Sequence, residues 1–299
     1  MLVDHGSWSM MKTVGLSLAL AALVVGAGVA VAQSPSLQTS PAPAAQTPAA
    51  KPAAPARSDF VSGYLPRGAA PNSLAFIPAP PAPGSASQAR DDAMAKAARA
   101  LKGTPRWDQA TEDANLKFPR AADTFSCAMG VEIGPEATPH LYTLLRRTLT
   151  DAGLATYPTK TKYQRQRPFV VKGGDICTPA AADGLRKDGS YPSGHSAVGW
   201  AWALILAEAE PDHQDAILAR GRAFMQSRVV CNVHWISDTE AGAMVGSAVV
   251  VRLNDDPVFR ADLDAARTEI AAARAAGQAP TRDCKAEAAA LSMEPTSAP

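Results

Sequence analysis

The chain has 299 residues, with 29 Lys+Arg against 28 Asp+Glu, enough for one large domain or two small ones. A formal net charge of +1 argues against a nucleic-acid binder or a protein held to anionic lipid by charge, since both carry a strong basic excess. Any basic cluster that matters must therefore be local.

In chain order, Lys12 precedes an apolar run from Val14 to Val25, and Ala30-Val31-Ala32 has the small-x-small pattern of a cleavage site. Residues 1–32 are thus expected to be a signal peptide, with Met10 a better start than Met1, and the mature protein is expected in the periplasm. Residues 33–58 are rich in Ala, Pro, Ser, Thr and Gln, with too little apolar side chain to offset ordering entropy, and are predicted to be a disordered linker. A folded domain is expected over 59–278, starting near Asp59 to Tyr64, with a C-terminal tail over 279–299.

Within that domain helical spacing dominates. Arg90 to Lys102 is Ala-rich, and Thr138 to Ala152 carries Leu141, Leu144, Leu145 and Leu149 on one face. Ser193 starts a long apolar helix that Pro211 ends beyond Ala209. Asp212 is the expected cap of a helix reaching Val230. Two more are predicted from Ile236 to Leu253 and from Asp255 to Ala276. Alternation of strand type is nearly absent, so the fold class is all-α, a single helical bundle. The apolar stretches Ala197 to Ala207 and Ala241 to Val251 fall short of the about 20 residues that span a bilayer.

Four cysteines, Cys127, Cys177, Cys231 and Cys284, lack any CxxC spacing, which disfavours a zinc knuckle or a thioredoxin-type site. After export they favour two disulfides over buried thiols. Cys177 with Cys231 is the preferred pair because both flank the strings described next, and it leaves Cys127 with Cys284.

Three strings carry chemistry. Lys160 and Arg167 are seven residues apart, two turns if the segment is helical, and Pro168 would then stop the helix with Arg167 at its end. Arg165 and Lys162 lie close by as decoys, and a solvated basic face is the bland reading. In Pro192-Ser193-Gly194-His195, Ser193 is a natural N-cap and Gly194 lets an anion approach the exposed amides, with His195 in the first turn. An ordinary capped helix would read the same. The third string places Arg228, His234 and Asp238 in order. A guanidinium binds two oxygens of an oxyanion as a fork. A carboxylate four residues after a histidine can fix its tautomer and leave the other nitrogen free to attack, although such pairs are more often surface contacts.

Lys-x6-Arg-Pro, Pro-Ser-Gly-His and Ser-Arg-x5-His-x3-Asp, in that order, resemble the signature of the type 2 phosphatidic acid phosphatase superfamily. The stretches 189–195, 227–231 and 234–238, with SLAFIPAPPAPGS (73–85) and EDANL (112–116), are similar to the secreted bacterial class A non-specific acid phosphatases, and the likeness covers roughly Tyr64 to Leu253. The resemblance implies His234 as nucleophile forming a phosphohistidine, oriented by Asp238, with His195 as general acid and then base. It implies Lys160, Arg167, Ser193, Gly194 and Arg228 as phosphate-binding residues, with no metal and no cofactor. The substrates implied are small-molecule phosphate monoesters over a broad range, cleaved on the acidic side of neutrality. A homodimer is the assembly to test. A vanadate-dependent haloperoxidase and a non-catalytic phosphate-binding protein are the alternatives; the class-specific stretches weigh against the first and the intact His195, His234 and Asp238 against the second. Phe169, Tyr191 and Trp235 adjoin the strings, suited equally to stacking on a leaving group and to packing.

Overall fold

A computed structural model describes residues 61–66 and 68–295. The expected signal peptide and linker lie outside the described residues. Helices are α1 (Ala86–Arg99), α2 (Pro105–Asp113), α3 (Ser126–Met129), α4 (Pro139–Leu154), α5 (Tyr157–Tyr163), α6 (Pro168–Val171), α7 (Ala182–Lys187), α8 (Gly194–Ala209), α9 (Gln214–Val230), α10 (Ile236–Leu253), α11 (Pro257–Ala275) and α12 (Cys284–Leu291). No strand occurs among the described residues, so the all-α expectation holds.

The apolar helix α8 is the axis of the bundle, packed by α4, α9, α10 and α11. Its Ala197, Ala201, Trp202, Ile205 and Leu206 are fully buried, which a helix apolar on all sides requires. Trp202 keeps its indole N–H satisfied by donating to Leu145 O at 3.0 Å. On α4 the predicted leucine face is the buried one, and α11 closes over it with Phe259, Leu263, Ala266 and Ile270.

Two helices meet at backbone distance. A Cβ on Gly242 of α10 would lie 2.5 Å from Ser193 O and 2.9 Å from Ser196 Cβ, and one on Gly246 would lie 2.5 Å from Ala197 O. Only glycine permits this approach, and it sets where the start of α8 stands against α10. Ser193 N donates to Asp238 O at 2.9 Å across the same contact.

Several boundaries differ from the sequence expectation. Ser85 caps α1, so that helix begins before Arg90. Asp212 falls inside a single 3-10 turn, Pro211–His213, and α9 starts at Gln214. Lys160 and Arg167 do not share a helix. α5 stops at Gln164, which takes a left-handed backbone with φ of 44°, and Arg167 is the extended N-cap of α6. Pro168 therefore begins a helix instead of ending one, the first-turn role in which its missing N–H costs nothing.

Helix α12 lies within the segment expected to be a tail. It is joined to α3 by the Cys127–Cys284 disulfide. Its Glu287 belongs to a buried charge network in which Arg220 pairs with Asp113 and Glu287, while Ser227 Oγ donates to Asp113 and accepts from Arg106. The second disulfide is Cys177–Cys231, linking the end of α9 to the loop after α6. Both pairs are those the sequence favoured. No helix among the described residues is long and apolar enough to cross a membrane.

Candidate active site

The three strings converge on a cavity of about 480 Å³. Lys160, Arg167, Gly194, His195 and His234 line it directly; Ser193, Arg228 and Asp238 are buried. Leu116, Leu149, Leu154, Val198 and Tyr157 add an apolar part to its lining. Phe169, Tyr191 and Trp235 are buried and do not line it. Tyr191 donates to Pro78 O and Trp235 to Gln166 O, so packing is their role here.

His234 is aimed by the turn that follows α9. Asn232 adopts a left-handed φ of 59°, a conformation asparagine tolerates better than most residues. Its side-chain amide donates to Gly173 O and Asp175 O, and the turn lets Val233 N and His234 N both donate to Arg228 O. His234 Nδ1 then lies 3.3 Å from Asp238 Oδ2, and Nε2 lies 3.0 Å from Arg167 Nη1. A guanidinium can only donate, so Nε2 is the nitrogen with the lone pair and Nδ1 carries the hydrogen that Asp238 accepts. Burial, then Arg167, Lys160 and Arg228, hold the imidazole well below its usual titration range. A neutral, oriented, unprotonated Nε2 results.

Asp238 is the third residue of α10, where its Oδ2 also accepts the Trp235 N–H at 2.8 Å and helps satisfy the helix start. Its other oxygen accepts from Arg165 Nη1 at 2.7 Å. Burial pushes the carboxyl up, against the pull of Arg165. Arg165 also donates to Ser237, Gln88 and Asp91, and its guanidinium lies over the Trp235 ring. The residue read from sequence as a decoy is thus the clamp that holds the orienting carboxylate, while Lys162 makes no such contact.

Ser193 caps α8 through its Oγ, which accepts from Ser196 N at 3.2 Å and from Ser196 Oγ at 3.0 Å. Its own hydroxyl hydrogen remains available. His195 Nε2 lies 3.0 Å from Ala114 O, the residue that follows α2 within the EDANL stretch. A carbonyl only accepts, so Nε2 keeps its hydrogen and Nδ1 is the nitrogen free to exchange a proton. Burial first, then Arg228, pushes His195 well below its usual range, with His234 and Arg167 adding to the effect.

The cations are held mainly by backbone carbonyls. Lys160 Nζ donates to Gly189 O at 2.7 Å, and burial lowers its pKa to about 8. Arg167 donates to Leu185 O, Asp188 O and Val233 O. Arg228 differs: its Nε and Nη1 are buried without a protein partner, and burial, then Arg167, pushes it down to about 9. Unmet buried donors cost about 1–3 kcal/mol each, and an oxyanion in the cage would satisfy them. The SLAFIPAPPAPGS stretch serves the same cage from outside, Ser73 bonding Thr159 on α5 and Ser85 capping α1, which carries Asp91.

Residues 139–257 match the model of the PAP2 superfamily. The chain is 42% identical over 211 residues to an acid phosphatase of Zymomonas mobilis subsp. mobilis, covering 69% of this chain and 78% of that one. It is 44% identical over 209 residues to a non-specific acid phosphatase of Providencia stuartii, covering 70% and 84%. A non-specific acid phosphatase of Salmonella typhimurium is 40% identical over 200 residues, covering 67% and 80%.

Proposed function

The chain belongs to the class A bacterial acid phosphatases of the PAP2 superfamily, enzymes that hydrolyse phosphate monoesters, and we propose that it does so through a phosphohistidine on His234 without a metal. The observation that carries this reading is the pair of contacts on His234, Nδ1 against Asp238 and Nε2 against Arg167, which leaves a lone pair directed among cations.

In the first step a phosphate oxygen takes over the Arg167 Nη1 hydrogen bond and frees the His234 Nε2 lone pair. That lone pair attacks phosphorus while the ester P–O bond breaks, and the leaving oxygen takes a proton from His195 Nδ1. In the second step His195 accepts a proton from water, the water oxygen bonds to phosphorus, the P–N bond breaks and orthophosphate leaves. Lys160, Arg167, Arg228, Ser193 Oγ and the Gly194 amide bind the non-bridging oxygens, where charge is carried through both transition states. The phosphate's own negative charge offsets the cations that push His195 down, so substrate binding supports the protonated acid. Three buried cations supply the positive potential that a metal ion would otherwise provide. The apolar part of the lining holds the leaving group by contact area and few directional bonds, which suits a broad range of esters. Export to the periplasm completes the proposal, supported by the apolar run after Lys12 and the two disulfides.

The test is hydrolysis of p-nitrophenyl phosphate by purified protein in excess chelator, with rapid acid-free quenching and mass analysis of peptides. Turnover is expected to persist with chelator, phosphate is expected on His234, and His234→Ala is expected to lose about 10⁴-fold or more in kcat. Chelator-sensitive turnover, or phosphate found on another residue, would end the proposal.

A further inference from the structure

Asp188 has no part in the chemistry above, yet it stands inside the cage. Its Oδ2 lies 3.2 Å from Arg167 Nη2 and 3.6 Å from Lys160 Nζ. The two cations are 2% and 4% exposed, whereas the Asp188 side chain is 38% exposed and lines the cavity. The other acceptors on Arg167 and Lys160 are backbone carbonyls and His234 Nε2, all fixed by the fold. The Asp188 carboxylate is the partner that a rotamer change can withdraw.

The two arms of one guanidinium divide the site. Nη1 holds the attacking nitrogen of His234, so a phosphoryl group under attack sits against that fork. Nη2 of the same fork holds Asp188. A carboxylate oxygen and a phosphate oxygen make the same kind of charge-assisted bond to a guanidinium, and two anions at one fork repel.

We propose that Asp188 is an affinity-setting residue whose carboxylate competes with the phosphate of ester and product for Arg167 and Lys160. The inference rests on the reading of the site given above. Phosphate binding becomes an exchange of one anion for another, which raises KM and speeds release of orthophosphate. A residue that merely braced the two cations would have the opposite signature, since its loss would disorder them and weaken phosphate binding.

Asp188→Asn keeps the shape and removes the charge; Asp188→Glu keeps the charge. Orthophosphate binding is measured by calorimetry at pH 6, independently of turnover, alongside KM and Ki with p-nitrophenyl phosphate and a thermal melt for folding. The dissociation constant, Ki and KM of Asp188→Asn are expected to fall together by about threefold or more, with Asp188→Glu within about twofold of the wild type. Unchanged or weaker phosphate binding in Asp188→Asn, or an equal gain in Asp188→Glu, would overturn the proposal. A wild type that binds orthophosphate but cleaves no ester would instead overturn the reading of the site while leaving the competition measurable.

Discussion

Arg165 Nη1 lies 2.7 Å from Asp238 Oδ1, so the carboxylate that orients His234 is itself gripped by a cation outside the cavity. The grip continues to Asp91, whose carboxylate accepts from Arg165 Nη2 at 2.6 Å and from Ser237 N at 2.9 Å. The chain Asp91, Arg165, Asp238, His234 ties α1, the segment after α5, and α10 to one imidazole.

Arg165→Lys preserves charge but loses the planar fork that serves two carboxylates at once. Its kcat is expected to fall about 10- to 100-fold with KM nearly unchanged, because orientation and not phosphate binding is lost. Arg165→Ala strands two buried carboxylates and is expected to cost about 3–5 kcal/mol in urea unfolding. For the lysine variant, a rise in KM that matches the fall in kcat/KM, with kcat unchanged, would place Arg165 among the phosphate-binding groups instead.

Gly242→Ala is expected to act at a distance through backbone. The added Cβ meets Ser193 O and Ser196 Cβ, so the start of α8 must shift and carry Ser193, Gly194 and His195 with it. A loss of about 1–3 kcal/mol and a lowered kcat are expected, measured by thermal unfolding and steady-state kinetics. Gly184→Ala in α7 is the control, since its Cβ would meet nothing within 4 Å.

The pH dependence follows from opposite requirements on two groups. In the proposed mechanism Lys160 must be charged to bind phosphate, so kcat/KM is expected to fall as pH rises through about 8. As the proposed nucleophile His234 must be neutral, and its depressed value keeps it so well into the acidic range. The same depression bears on stability. Between the folded-state values and the unfolded value of about 6.5 the unfolded chain binds more protons, so stability is full above about 6.5 and is lost as pH falls below it. Melting temperature is expected to drop on acidification, less steeply in His195→Gln. A flat profile from pH 7 to pH 4.5 would contradict the buried neutral histidines.

The Cys127–Cys284 bridge spans 157 residues of sequence and anchors α12, away from the cavity. Replacing both cysteines by serine is expected to cost about 2–5 kcal/mol while kcat per folded molecule stays within about twofold. Chemical denaturation followed by activity in the folded baseline checks both halves.

The parts legible in the sequence were those whose chemistry is local. Ser193-Gly194-His195 carries its cap and its histidine within one turn, and His234 and Asp238 lie four residues apart on the chain that brings them together. Arg165 was not legible, because its meaning lies in Asp91 and Asp238, 74 and 73 residues away. Lys160 and Arg167 line one cavity, but not by the geometry their spacing suggests. Their spacing suggested two turns of helix, whereas the left-handed Gln164 breaks the helix and brings Arg167 in on a separate element. Pro168 held the clue, since proline opens helices more readily than it closes them. Helix α12 had its own signal in Asp283, whose side chain accepts from Ala286 N ahead of an alanine-rich run.

Two buried guanidiniums, Arg167 and Arg228, repel each other within the cage. Cys177 and Cys231 join the stretch following the first to the residue ending the helix of the second, so a covalent bond keeps these like charges from drifting apart. Mild reductant should consequently be most damaging to enzyme stored without orthophosphate, and the anion itself should serve as the preservative.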